Sequence, residues 1–425
     1  MKSDRAISTT NKTFVSGRED GRFRDTAGFV HAFIKSHKPQ LAFDPDMDAG
    51  QFPVWRERLC AKALELMAFP EVVAQPSPKR IRVEQREGYQ LQRWEAYPEP
   101  FCVVPFLMLV PDGTSAQSPA PAVMCFPGYS GSKEGMAGEP ELNDRELNWS
   151  QEKWRDNCIA LHYVRQGMIA VAIDNPARAE ADSALRDLAE ISRCMFWAGR
   201  HYLGISVFQK TQILKWLAEL SMVDSKRIAT CGLSLGSDPA DIVGLLNPDL
   251  IGAVIHNDFL CDWREQTIAM NAYAETAWHV VPGMYSWYDA PDIQAALAPR
   301  PLLYTEGGRT PHINRVRAAY RMQGVPGNVK VYYYKKYSSA DLRHYEDQPI
   351  PEGLTHEEYF LYANVDVADH RFHPEHAVPW LKGVFAGKKC FGRRTVPYPC
   401  NGWLSAQNQK TQPPKKPKVA LLKSW

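Results

Sequence analysis

The sequence predicts an α/β domain built on a mostly parallel sheet with helices on both faces. Three observations carry this expectation. Short continuous apolar runs recur through the middle of the chain, segments of helical period separate them, and a block of strand-like runs precedes them all. Parallel strands are buried on both faces, so they read as unbroken apolar stretches rather than alternating ones. Strand–helix alternation after an antiparallel start argues for one α/β domain.

The elements follow in order. Residues 1–54 are polar, with few apolar positions in register, and are expected to form an N-terminal surface arm. From Trp55 to Met67 the apolar spacing is helical, until Pro70 stops it. Lys79–Arg86, Tyr89–Ala96 and Phe101–Val110 then read as strands, punctuated by Gly88 and by Pro98-Glu99-Pro100. The parallel runs are Ala122–Phe126, Met168–Asp174, Arg227–Cys231, Ile251–His256, Pro301–Thr305 and Val329–Tyr334, in a sheet expected to hold about eight strands. Helical segments fall at 149–166, 188–221 (in two pieces), 238–246, 264–278, 313–323 and 374–386. The main domain is placed at 55–388, with insertions near 277–290 and 338–368, and residues 389–425 read as a C-terminal tail.

Composition narrows the function classes. A hydrophobic content of 44% in 425 residues is ample for a large core and excludes a disordered or fibrous chain. The formal net charge of +2 gives no field for nucleic acid or an anionic membrane. The basic run Lys410–Lys418, broken by Pro413, Pro414 and Pro417, reads as an extended tail. Nine cysteines are scattered without zinc or CxxC spacing, as expected for reduced, buried thiols in a cytoplasmic protein. Neither a secretory apolar segment nor a run long enough to span a membrane is read from the sequence.

Gly232-Leu233-Ser234-Leu235-Gly236 is the most informative stretch, because the β-prone Arg227–Cys231 precedes it and the helix-prone Asp241–Leu246 follows. A G-x-S-x-G at a strand-to-helix junction is the nucleophile elbow of α/β-hydrolases. Its strained turn lifts the serine over the sheet edge, and its glycines let strand and helix pass too close for a Cβ. A serine hydroxyl is a poor nucleophile until a histidine takes its proton and a carboxylate orients that histidine. The expected chain order is Ser, acid, His.

His370 is the candidate base, in the loop before Pro374 starts the last helix, while His373 and His376 read as cap or surface residues. Glu306, directly after the Pro301–Thr305 run, is the nearest carboxylate and the first choice of acid; Asp258 and Asp262 remain alternatives. The oxyanion hole requires two backbone N–H donors. Leu235 is assigned one and Tyr129, in Pro127-Gly128-Tyr129-Ser130-Gly131, the other. Trp263, Trp287 and Tyr288 are candidate substrate contacts, the last two from an aromatic-rich insertion. No metal or other cofactor is expected, since neither H-E-x-x-H nor a P-loop is present.

Phe126–Gly138, the elbow, Ala298-Pro299-Arg300-Pro301-Leu302-Leu303 with the glycine-bearing loop after it, and Asp369-His370-Arg371-Phe372 together resemble the dienelactone-hydrolase-like and acetyl-xylan-esterase-like branch of the α/β-hydrolases, over residues 55–388. The resemblance implies a cofactor-free serine hydrolase acting on carboxylic esters, often acetylated sugars. The acid after Pro301–Thr305 stands earlier than in many relatives, Pro239 sits early in the elbow helix, and the 338–368 insertion is long. An amidase or peptidase with the same machinery, and a non-catalytic binder on the same scaffold, are the alternatives. The expected partner is a small ester; homo-oligomerisation is left open.

Overall fold

The computed structural model describes residues 14–71, 75–182, 188–270, 277–346 and 348–387. Their strands form one nine-stranded sheet: β1 (Lys79–Arg86), β2 (Tyr89–Ala96), β3 (Val104–Pro111), β4 (Ala120–Phe126), β5 (Ile169–Ile173), β6 (Val223–Leu233), β7 (Ile251–Asn257), β8 (Leu302–Tyr304) and β9 (Val329–Val331). The order is β1-β2-β3-β5-β4-β6-β7-β8-β9. Pairing is antiparallel from β1 to β5 and parallel from β5 onward. Each of the three antiparallel and six parallel runs read from the sequence is a strand. The tail at 389–425 lies outside the described residues.

The unbroken apolar runs follow from the pleat. On β4, Ala122, Met124 and Phe126 enter one core layer while Val123 and Cys125 enter the other. On β5, Ile169, Val171 and Ile173 face the first layer, and Ala170 and Ala172 the second. Successive side chains alternate faces, and here both faces are covered by helices. Helices span Leu188–Trp197 and Tyr202–Glu219, so the 188–221 segment does come in two pieces. Cys125 and Cys231 are buried in their strands, whereas Cys194 is exposed on its helix.

Two boundaries need correction. The N-terminal segment is more than a surface arm: Thr26–Ser36 is a helix whose N-cap Asp25 accepts from the Gly28 N–H, and Leu41 and Phe43 are buried in the main core. Phe43 packs 5.1 Å from Trp55. Apolar positions at 41, 43 and 52 fit neither period, so their burial leaves no pattern in the sequence. At the other end, the expected Val329–Tyr334 strand stops at Val331, and Tyr334 turns toward the sheet's C-terminal edge.

The elbow is built as the motif requires. β6 ends at Leu233, Ser234 adopts φ 50°, and the helix Ser237–Leu246 begins three residues later. A Cβ on Gly232 would lie 2.1 Å from the Gly236 carbonyl oxygen; one on Gly236 would lie 2.4 Å from that of Phe126. Both obstacles are backbone and cannot swing aside. Gly232→Ala is therefore expected to destabilise the fold by about 1–3 kcal/mol or more, seen as a lowered denaturation midpoint. Pro239 removes no helical bond, because the first-turn N–H groups have no intrahelical partner.

Candidate active site

Ser234 stands at the C-terminal edge of the sheet in a left-handed conformation that non-glycine residues rarely adopt. Such strain persists where the surroundings enforce it, typically at functional sites. Its side chain lines a cavity of about 220 Å³, shared with Tyr129, Leu235, Asp258, Trp263 and His370.

His370 follows a short 3-10 turn, Val367–Asp369, that delivers it from the 338–368 insertion. Its Nδ1 lies 2.8 Å from Glu306 Oε2. Glu306, just past β8, is fully buried. Burial works against its charge, but His370 and then His373 outweigh that and hold its carboxyl at about 2. In return, burial opposes the imidazolium of His370, and the Glu306 carboxylate, aided by Asp258, overrides it and lifts the ring to about 9. Ser234 and His370 thus line one cavity, with Glu306 paired to the imidazole.

Three groups that sequence reasoning passed over complete the carboxylate's surroundings. The Tyr334 hydroxyl donates to Glu306 Oε2 at 2.5 Å, the Arg371 N–H to Oε1 at 3.2 Å, and Asn257 Nδ2 to Oε1 at 3.4 Å. His373, expected to be a cap or surface residue, is buried with Nε2 3.4 Å from Oε1 and Nδ1 3.0 Å from Glu375. It still occupies the N-cap position of the helix Pro374–Phe385. Asp258, Glu306 and His370 present ligand atoms within 4.8 Å of one another, close enough for a metal ion. Both oxygens of Glu306 are already committed to protein donors, so the set is suited to orienting an imidazole rather than to ligating a cation.

The loop after β4 lies directly against the elbow: a Cβ on Gly128 would touch Ser234 Cβ at 3.4 Å. The Gly128 carbonyl accepts from the Gly131 N–H at 3.2 Å. In a trans peptide the N–H points opposite to the carbonyl, so the Tyr129 N–H is turned out of that turn. This loop is tied from beneath. Asn175 Nδ2 donates to the Pro127 carbonyl at 2.7 Å, while Asn175 Oδ1 accepts from buried Lys210 Nζ at 3.1 Å. Asp174, one residue earlier, takes the Lys133 N–H at 2.7 Å and its Nζ at 3.0 Å.

A model of the Abhydrolase family matches residues 7–383. The chain belongs to that family. Among solved structures, a protein of Bacteroides fragilis NCTC 9343 provisionally named an acetyl xylan esterase is 39% identical, over 89% of this chain and 98% of that one, with a TM-score of 0.80. A methylesterase at 15% identity covers 85% and 80% of the two chains, with a TM-score of 0.52, a likeness of fold alone. No curated relative matches.

Within this Abhydrolase-family chain the remaining expectations divide. Trp263 lines the cavity, and Trp278 joins it, 5.4 Å from the Tyr129 ring. Trp287 does not: it packs against the main core under Lys62, whose Nζ lies 4.1 Å from its ring. Tyr288 is buried and lines an adjoining recess, not the cavity that holds Ser234. An aromatic cluster in an insertion looks the same in sequence whether it faces core or cavity. Asp262 caps the helix Trp263–Ala269 by accepting from the Glu265 N–H at 2.8 Å, which removes it as a partner of His370. The 338–368 insertion supplies His356, Phe360, Val365 and Val367 to the cavity wall. Among the described residues, no helix is long and apolar enough to cross a membrane.

The tether beneath the loop makes its own prediction. Asn175→Asp retains an oxygen for Lys210 but cannot donate to the Pro127 carbonyl. It is expected to lower kcat for ester hydrolysis about 10- to 100-fold through misplacement of the loop, with KM nearly unchanged and the denaturation midpoint lowered, since the buried Pro127 carbonyl loses its donor. An equal loss in KM would instead mark a substrate contact.

Proposed function

We propose that the protein is a serine-dependent carboxylic-ester hydrolase acting on acylated carbohydrate. The observation that carries this reading is the pairing of His370 Nδ1 with a buried, ionised Glu306 at the rim of the cavity that holds strained Ser234. With Nδ1 committed to Glu306, Nε2 is the nitrogen left to accept a proton.

In this reading Ser234 Oγ attacks the ester carbonyl carbon while His370 Nε2 takes the hydroxyl proton. The carbonyl oxygen gains the negative charge, and the Leu235 and Tyr129 N–H groups donate to it. Collapse of the tetrahedral intermediate breaks the bond to the alcohol, which leaves with the proton from His370. Water then attacks the acyl-serine with His370 again as base, releasing the carboxylic acid and restoring Ser234. Glu306 fixes the tautomer and stabilises the imidazolium at both stages. No group outside the chain is required.

The 39% identical protein from Bacteroides fragilis supports the carbohydrate side of the assignment. The test is a panel of p-nitrophenyl esters, acetylated xylosides and matched amides, combined with labelling by a fluorophosphonate. Ester turnover with stoichiometric labelling of Ser234 is expected. Amides cleaved faster than esters would transfer the reading to an amidase, and absence of both turnover and labelling would leave only a binding role.

A further inference from the structure

His256 lies on β7 in register with Gly232 of β6, beside the elbow. One edge of its imidazole is pinned: Nδ1 is 2.9 Å from Asp241 Oδ2, and the same oxygen accepts from Gln294 Nε2 at 2.8 Å. Tyr304 meets the ring edge-on at 5.3 Å. The other nitrogen, Nε2, is buried without a partner, although His256 lines the same cavity as Ser234. Buried polar groups are nearly always paired, and each exception asks for an explanation. Burial opposes charge on this ring, but Asp241 outweighs it, with Asp258 and Asp238 adding to the effect, and lifts it to about 9. Nε2 is thus a buried polar atom with no partner in the protein, able to hydrogen-bond a ligand hydroxyl.

Ester cleavage as described makes no use of this nitrogen. The cavity around it sets the polar groups Asp238, Asp258 and Gln266 and the rings of Trp263 and Trp278 in a largely apolar wall that includes Phe259, Phe360, Val365 and Val367. A hydrocarbon occupant would leave His256 Nε2 buried and unpaired, which is costly. A polyhydroxylated ring supplies both hydroxyl oxygens to accept and hydroxyl protons to donate, and presents C–H faces to indoles. At about 220 Å³ the cavity is smaller than the common range of roughly 300–1,000 Å³ for ligand pockets, which suits one sugar unit.

We propose that His256 is a specificity-determining residue whose Nε2 hydrogen-bonds a free hydroxyl of the sugar that bears the ester, with Asp241 and Gln294 as positioning residues. The proposal rests on the ester-hydrolase reading.

The test compares kcat/KM for a mono-acetylated methyl xyloside and for p-nitrophenyl acetate, which has no hydroxyl, in wild type and His256→Gln. The ratio of sugar ester to simple ester is expected to fall about 10- to 100-fold, chiefly through KM on the sugar ester, the usual cost of losing the partner of a buried polar group. Equal losses on both substrates, or no loss on either, would overturn the proposal. A second arm needs no variant. On wild type, singly deoxygenated analogues of the xyloside should include one that loses at least tenfold; if every deoxy analogue matches the parent, the proposal fails. Failure of the underlying reading is distinct, because then wild type would not hydrolyse p-nitrophenyl acetate through Ser234 at all.

Discussion

Ser234→Ala is expected to lower kcat on every ester by about 10⁴- to 10⁶-fold, the scale on which removal of a hydrolytic serine operates. The substitution removes one oxygen from a half-exposed side chain and asks nothing new of the backbone, since alanine meets the same φ of 50° that serine already tolerates. The denaturation midpoint should therefore hold, and KM should change little, because substrate is bound by walls the mutation leaves intact. The residual rate would measure what the N–H donors and binding supply without a nucleophile. Turnover within tenfold of wild type would refute the proposed mechanism. Loss of fluorophosphonate labelling in the same variant gives a second, stoichiometric readout.

Glu306→Gln is the second large effect, with kcat expected to fall about 10³- to 10⁴-fold at neutral pH. The amide has nearly the same shape but replaces one acceptor oxygen with a donor. Tyr334 and the Arg371 N–H already donate into this carboxylate, so the amide cannot keep every bond and still accept from His370 Nδ1. The imidazole is then free to take the wrong tautomer or to turn. The pH profile separates this role from simple damage. Neutral His370 is the active base, and Glu306, after opposing the cost of burial, is what raises its pKa to about 9. In wild type kcat/KM should climb with pH through the alkaline range. Without the carboxylate the imidazolium loses its support, so the midpoint of the limb should move toward acid, to or below the ordinary histidine value of about 6.5. A variant that kept both its rate and its alkaline limb would transfer the acid's role to Asp258, whose carboxylate is the other one close to His370.

The reach of sequence reasoning can be read from particular residues. The elbow was legible because backbone crowding dictates two glycines at fixed spacing, and Gly232 and Gly236 meet those demands against carbonyl oxygens. Glu306 and His370 were legible because each follows a recognisable strand or precedes a proline-started helix. Tyr334 was not: in a run of three tyrosines, nothing in sequence tells which one leaves the strand, and the chain departs after Val331. His373 was hidden by its own plausibility as a cap, a position it does occupy while also reaching Glu306. Trp287 and Tyr288 misled in the opposite direction, since an aromatic cluster signals burial without saying beneath what. His256 had no local signal. Its partners Asp241 and Gln294 come from two different helices, and only the sheet brings them to one imidazole.

The seat of Gly236 against the carbonyls of Phe126 and Pro127 has a wider meaning. The bend that carries the attacking oxygen and the turn that receives the developing charge come from distant parts of the chain, yet they meet main chain to main chain with no side chain as a spacer. Drift in one must carry the other along, so the reactive geometry is insulated from whatever happens to the surrounding walls. Those walls are drawn largely from segments outside the sheet, including the helix His356–Ala363. Such a division of labour lets the choice of substrate diverge by replacing the upholstery while the hinge beneath it stays the same.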